Sequence, residues 1–267
     1  MLESLLKSLG DPDLISNHVL PWGSPIPVFG DVSKSRVATL GLNPSNREFV
    51  DADGRELDGE KRRFHTLKSL NITSWSKAKQ KHLELIGDSY KTYFKRNPYD
   101  GWFRILDKII SGTQTSFYNK LNQACHLDLV PYATYCKWAE LSNKQQNRLF
   151  YKAGDTLAFM LRESPIRIVV LNGKTVVDAF QKISNQTLEK ELMTEWTLPR
   201  KTGIGISGFS YKGVINQIGG HKLKNEIYIL GFNHNLQSSF GVTNIVKNSI
   251  QDWISRSFEK IKNETKR

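Results

Sequence analysis

The side chains best suited to chemistry stand directly after short apolar runs. RVATLGLNPS (36–45) breaks off at Asn43, Pro44 and Ser45, with a second amide at Asn46. Three more runs end alike. ACHLDLV (124–130) carries Asp128 and is followed by PYATYCKW. IRIVVLNG (166–173) runs into Lys174 at a helix start, and EIYILGF (226–232) runs into NHNLQSSFG (233–241), which holds His234. Polar groups that follow successive strands of an open parallel sheet converge on its carboxyl edge, where ligands bind. The Asn43 amide and the Ser45 hydroxyl would line a pocket at that edge, with His234 converging on the same rim. Taken singly, Asn43 reads as an Asx turn and His234 as a loop histidine; their common position after strands favours a site.

The elements that would position these groups follow from hydrophobic patterning. The four near-continuous apolar runs suit strands buried on both faces of a parallel sheet. Helical spacing recurs in 101–111, 143–164, 173–183 and 243–261. Strand–helix alternation of this kind predicts α/β layers with right-handed crossovers. Residues 46–98 form a polar, basic insertion, and the Gly-punctuated segment 196–220 predicts one or two hairpin strands at an edge or flap. No repeat or low-complexity tract divides the chain, which is read as one domain over 1–267.

Composition narrows the partners. The chain has 267 residues, 39% hydrophobic and 24% charged, the balance of a globular protein. No apolar run approaches the roughly 20 residues of a membrane span, and the first residues lack a signal-peptide core, so a cytoplasmic protein is expected. Cys125 and Cys136 are too few for a disulfide framework, a four-cysteine zinc site or an iron–sulfur cluster, and both are expected as reduced thiols. The six histidines show no ligand spacing, so neither metal nor cofactor is expected. A net charge of +12 suits a polyanion, since neutralising phosphates releases counterions. EKRRFHTLK (60–68) and KTYFKR (91–96) interleave cations with aromatic rings.

The arrangement of these residues resembles the uracil-DNA glycosylase superfamily. Its first motif is GQDPYH in some members and GxNPG in mismatch-specific and single-strand-selective ones; here GLNPSN (41–46) stands in its place. Its second motif, HPSP or NPSG, follows the last strand, where this chain has HNLQSS (234–239), a considerable departure. The likeness of element order spans about residues 20 to 260. It implies a three-layer α/β/α sandwich around a central four-stranded parallel sheet, and a monomer that extrudes a nucleotide from double-stranded DNA and hydrolyses its glycosidic bond. Asn43 would orient the water, assisted by one of Asp51, Asp53 and Asp58, and His234 would stabilise the departing base. Phe64 would stack on the base, with Phe49 competing for that role. Arg62, Arg63 and Lys174 would contact phosphate, and Leu236, Gln237 or Ser238 would contact DNA at the gap, Leu236 being the apolar wedge and Ser238 the residue in strict register.

Two positions bear on the base. Ser45 stands where GQDPYH carries a tyrosine that blocks substituents at C5 of the pyrimidine, so the block is gone, although Asn46 can refill the space. Asp128 stands where the family reads the pyrimidine with an amide. A buried carboxyl has a raised pKa, and in its neutral form it accepts from N4 of cytosine and donates to N3. Both substitutions point to a C5-modified cytosine, such as the glucosylated hydroxymethylcytosine of phage DNA, and so to a defence glycosylase that leaves an abasic site. Excision of uracil or a damaged pyrimidine is the alternative within the family. Outside it stand a non-catalytic DNA-binding module and a nucleotide-binding small-molecule enzyme; against the latter, neither G-x-G-x-x-G after a strand nor a complete phosphate loop is present.

Overall fold

A computed structural model describes residues 1–121, 123–200, 203, 205–237 and 241–264. Seven strands form one mixed sheet: β1 (Val28–Phe29), β2 (Val37–Gly41), β3 (Ala124–Asp128), β4 (Ile168–Asn172), β5 (Glu189–Leu198), β6 (Ile206–Ile218) and β7 (His221–Phe232), in the order β1-β3-β2-β4-β7-β6-β5. β4 lies parallel to β2, with Val37 opposite Ile168, and parallel to β7, with Ile168 opposite Tyr228. Every residue of β2, β3 and β4 is buried, which is why these strands read as unbroken apolar runs.

The α/β alternation read from the sequence is the architecture the chain adopts, but the sheet is wider than four strands. β1 pairs antiparallel with β3, and β5, β6 and β7 pair antiparallel in succession. The Gly-rich stretch contributes full-length strands here. β5 starts at Glu189, ahead of the expected hairpin, and β7 starts at His221, directly after the Gly219–Gly220 turn in which both glycines have positive φ.

The helices are α1 (Leu2–Ser8), α2 (Pro12–Ser16), α3 (Gln80–Thr92), α4 (Asp100–Ile110), α5 (Asn143–Ala153), α6 (Thr156–Arg162), α7 (Lys174–Ser184) and α8 (Asn244–Glu264). The long helix expected over 143–164 is two helices, because Gly154 takes φ 54 and ψ −136, outside helical space. The basic insertion holds α3, whose start is capped by His82 Nδ1 accepting the Lys79 N–H at 3.0 Å. Among the described residues no helix is long and apolar enough to cross a membrane.

Contacts gather the chain into two compact units, each drawn from three stretches. The first comprises residues 1–32, 41–99 and 126–160, the second residues 33–40, 100–125 and 161 onward. The core of the first is a cluster of rings: Phe64 stacks on Tyr93 with centroids 5.1 Å apart, and Phe29 meets both rings edge-on. In the second, α7 lies against β4, β6 and β7, while α8 lies against α4, β5 and β7.

Candidate active site after the second strand

Asn43 follows β2 by two residues and is held by the segment that follows β3. Backbone bonds from Leu129 N to Gly41 O and from Val130 N to Leu42 O, at 3.1 and 2.8 Å, carry the pairing past the strand ends. Residues 131–135 are then stitched to the N-terminal stretch: Ile26 N donates to Pro131 O, Leu20 N to Ala133 O and Tyr135 N to His18 O, at 2.7 to 2.9 Å. His18 makes this turn in the left-handed region, at φ 65. On the other side Ser45 bridges Thr134.

This framework fixes the Asn43 amide. Its Nδ2 donates to Thr134 Oγ1 at 3.1 Å, to Pro44 O at 3.2 Å and to Tyr132 O at 3.3 Å. Thr134 in turn donates to Cys136 O at 2.7 Å, so its hydroxyl is left as an acceptor for the amide. Both amide hydrogens are committed, while Oδ1 accepts no hydrogen bond from any described residue. Beside it opens a cavity of about 380 Å³, lined by Asn43, Ser45, Asn46, Arg47, Thr134 and Tyr135, with residues 136–138 and Glu140 closing the far side. That volume is within the range of small-ligand sites. The Ser45 hydroxyl caps the turn Asn46–Glu48 by accepting from Arg47 N at 3.2 Å, and Asn46 Nδ2 donates to Tyr135 O at 3.2 Å.

Beneath the strand end is a buried polar cluster. Asp128 is enclosed, with Oδ1 3.4 Å from His126 Nε2. Burial pushes its carboxyl above the usual range, and the neighbouring His126 partly opposes this. Gly41 presses against both: a Cβ there would sit 2.5 Å from Asp128 Oδ1 and 2.8 Å from His126 Nε2. Glu48 is equally buried, and Tyr93 Oη stands 2.9 Å from each of its carboxyl oxygens. Burial raises the Glu48 carboxyl to about 7, against the pull of Arg63 and the Tyr93 hydrogen bond, and the Asp128 charge adds to the rise.

The remaining expected residues of this unit have other duties. Phe64, 1% exposed and stacked on Tyr93, is a core ring with no face open to a base, and Phe49 is buried against Trp22 and Phe64. Asp51 accepts from Asp53 N and Arg55 N, both at 2.9 Å, Asp53 pairs with Arg55, and Asp58 caps the turn at Gly59. These carboxylates organise their own loop. Arg63 is spent inside the protein, donating to Asn97 O at 2.8 Å and Arg47 O at 2.6 Å. Arg62 is half-buried; burial drives the neighbouring His65 down to about 4, and the charges of Arg62 and Arg96 add to the fall.

In the second unit His234 is 4% exposed, with Nε2 2.7 Å from Trp196 O. A carbonyl only accepts, so Nε2 carries the hydrogen; burial lowers the ring's pKa and keeps it neutral. The one N–H of His234 is therefore committed, and the expected donation to a departing base is not available in this arrangement. Lys174 pairs with Asp178 at 2.6 Å on the surface. Leu236 is buried, which is not the posture of a projecting wedge. Gln237 Oε1 accepts from Asn172 Nδ2 at 2.8 Å, and Asn172 Oδ1 is buried with no partner among the described residues. Ser238 lies outside the described residues.

Reasoning from sequence missed Arg47, Thr134, Tyr135, Trp138 and Glu140 as cavity walls, and Glu48 as a buried acid. PYATYCKW was visible as the segment after a strand, but its stitching to residues 18–26 leaves no local pattern. Among the described residues no three His, Cys, Asp or Glu side chains gather as metal ligands. No protein-family model matches the chain, and no curated protein matches it in sequence.

Proposed function

We propose that the protein is a DNA glycosylase of the uracil-DNA glycosylase kind, which hydrolyses the N-glycosidic bond of an extruded, C5-modified cytosine in double-stranded phage DNA. One observation carries this reading: the Asn43 amide is clamped through its nitrogen, so its free oxygen is left as an acceptor at a cavity of nucleobase scale.

In this mechanism Asn43 Oδ1 accepts a hydrogen from water and aims the water oxygen at C1′. The C1′–N1 bond breaks with its electron pair passing to the base. The water oxygen bonds C1′, its proton leaves to solvent, and the products are an abasic sugar and the free base. Fixing the amide beforehand means that its dipole needs no reorganisation as the sugar acquires positive charge. Asp128 is enclosed beneath the strand end and is not among the residues lining the cavity, so its part in this reading, accepting from N4 and giving its proton to N3 in neutral form, requires the extruded base to open the cavity onto it. Ser45 leaves room at C5, and the cavity beyond it takes the substituent. No lysine is required, and the strand stays intact. The three-layer fold with a four-stranded parallel core, a monomeric state and a cytoplasmic location belong to the same proposal.

A second reading, a non-catalytic module that binds modified DNA, is favoured by the committed N–H of His234. The test is an abasic-site assay on matched duplexes holding uracil, cytosine, hydroxymethylcytosine or its glucosylated form, with wild type and Asn43→Ala. Release of only the C5-modified cytosine, lost in the variant, supports the proposal. Release of uracil alone overturns the base assignment, and tight binding without release from any duplex selects the non-catalytic module.

A further inference from the structure

The enclosure of Phe64 leaves the site without the ring that base extrusion needs, because an unstacked base must be received by an aromatic or apolar face. Two aromatic residues line the cavity beside Asn43: Trp138 and Tyr135. Trp138 is buried, with its ring turned to Phe150 at 5.1 Å. Tyr135 is 54% exposed, and no described ring lies against it.

Exposure alone would say little, since single exposed aromatics are common. Tyr135 differs in being fixed at three points. Its phenol oxygen accepts from Trp22 Nε1 at 3.2 Å, its N–H donates to His18 O at 2.9 Å, and its carbonyl accepts from Asn46 Nδ2 at 3.2 Å. Trp22 is braced edge-on by Phe49, which fills the space over Gly23 so closely that a Cβ there would meet it at 2.9 Å. Phe49, offered by the sequence as a stacking ring, acts here as the support of another. Tyr135 also stands next to Thr134, whose hydroxyl holds the Asn43 amide. A tyrosine held open and still, one residue from the group that orients the water, is preorganised for a planar ligand.

We propose that Tyr135, steadied by Trp22, is the stacking platform for the extruded pyrimidine, in the place the sequence suggested for Phe64. The inference rests on the glycosylase reading for the identity of its ligand but is tested apart from chemistry. The probe is a duplex carrying pyrrolocytosine, a fluorescent cytosine analogue enlarged at C5, on a 2′-fluoro sugar that resists cleavage. Binding is titrated at fixed salt, since affinity for DNA depends on it.

Loss of one base–aromatic stack corresponds to roughly 5- to 150-fold weaker binding. Tyr135→Ala and Tyr135→Leu are expected to bind the probe that much more weakly and to give a brighter saturated complex, because the probe is no longer quenched against a ring. Tyr135→Phe keeps the ring but loses the Trp22 bond that steadies it, and is expected to bind between wild type and the leucine variant. Circular dichroism melts show that each variant is folded, and the leucine variant keeps side-chain bulk should the alanine variant not fold. Wild-type affinity and emission in both the alanine and leucine variants would overturn the platform, whatever the enzyme excises. Tyr135-dependent binding in a protein that excises no base would leave the platform standing and remove the hydrolytic reading.

Discussion

Tyr93 stands with its phenol oxygen 2.9 Å from both carboxyl oxygens of Glu48, while the same oxygen accepts the Tyr99 N–H at 2.9 Å. A phenol has one hydrogen to give, so it satisfies one carboxyl oxygen. The other is best served when Glu48 itself carries a proton and donates back to the phenol. Burial is what lifts this acid to about 7, against the opposing pull of Arg63 and of the Tyr93 hydrogen bond.

A pH dependence of stability follows. Glu48 rises from 4.5 to about 7 on folding, so between those values the folded chain holds a proton that the unfolded chain has released. Its contribution is complete below pH 4.5 and is lost as pH rises through about 7, and it amounts to on the order of 3 kcal/mol. Urea unfolding at pH 4.5 to 7.5 should show wild type losing stability across that window relative to Glu48→Gln, whose amide does not titrate. Parallel curves for the two proteins would contradict the neutral acid.

Gly41→Ala tests the contact between strand and acid. The added methyl would lie 2.5 Å from Asp128 Oδ1 and 2.8 Å from His126 Nε2, both buried and neither able to swing into solvent. Overpacking of this kind costs about 1–3 kcal/mol. Chemical denaturation should show that loss, and Asp128→Ser in the same chain should restore part of it by shortening the side chain that is struck.

Thr134→Val separates the amide's orientation from its presence. The substitution keeps shape but removes the acceptor for Asn43 Nδ2 and the donor to Cys136 O. A stability loss of about 1–2 kcal/mol is expected from the two missing bonds. In the excision assay kcat should fall by about tenfold with KM little changed, because an amide free to turn stabilises the transition state less than a fixed one. Thr134→Ser should recover most of both.

β2, β3, β4 and the end of β7 were legible because burial writes itself as an unbroken apolar run, as in Val37–Leu40 and Ile168–Leu171. β5 was not, because its side chains are mostly exposed: only Met193 and Trp196 are buried, and three glutamates, a lysine, two threonines and two leucines fill the rest. α3 was hidden for a related reason. His82, Ser89 and Tyr90 share its buried face with Ile86, so its periodicity is carried largely by polar atoms that find partners. At the site, Asn43 was legible because a strand must end before it. Phe64 was misread because a ring flanked by arginines has the same local sequence whether it faces a ligand or a core. Tyr135 was invisible because its setting is made by His18, Trp22 and Asn46, which are remote from it in sequence.

The stitching of residues 131–135 between the N-terminal stretch and the turn after β2 also sets an order of assembly. During synthesis Leu20 and Ile26 emerge more than a hundred residues before the carbonyls of Ala133 and Pro131 that receive their N–H groups. Asn43 waits nearly as long for Tyr132 and Thr134. Contacts of such separation form only after the entropy of closing the intervening loop has been overcome. A nascent chain that has not yet reached Pro131 therefore carries the asparagine without its clamp, and the cavity cannot close around it until the segment 131–138 has been made.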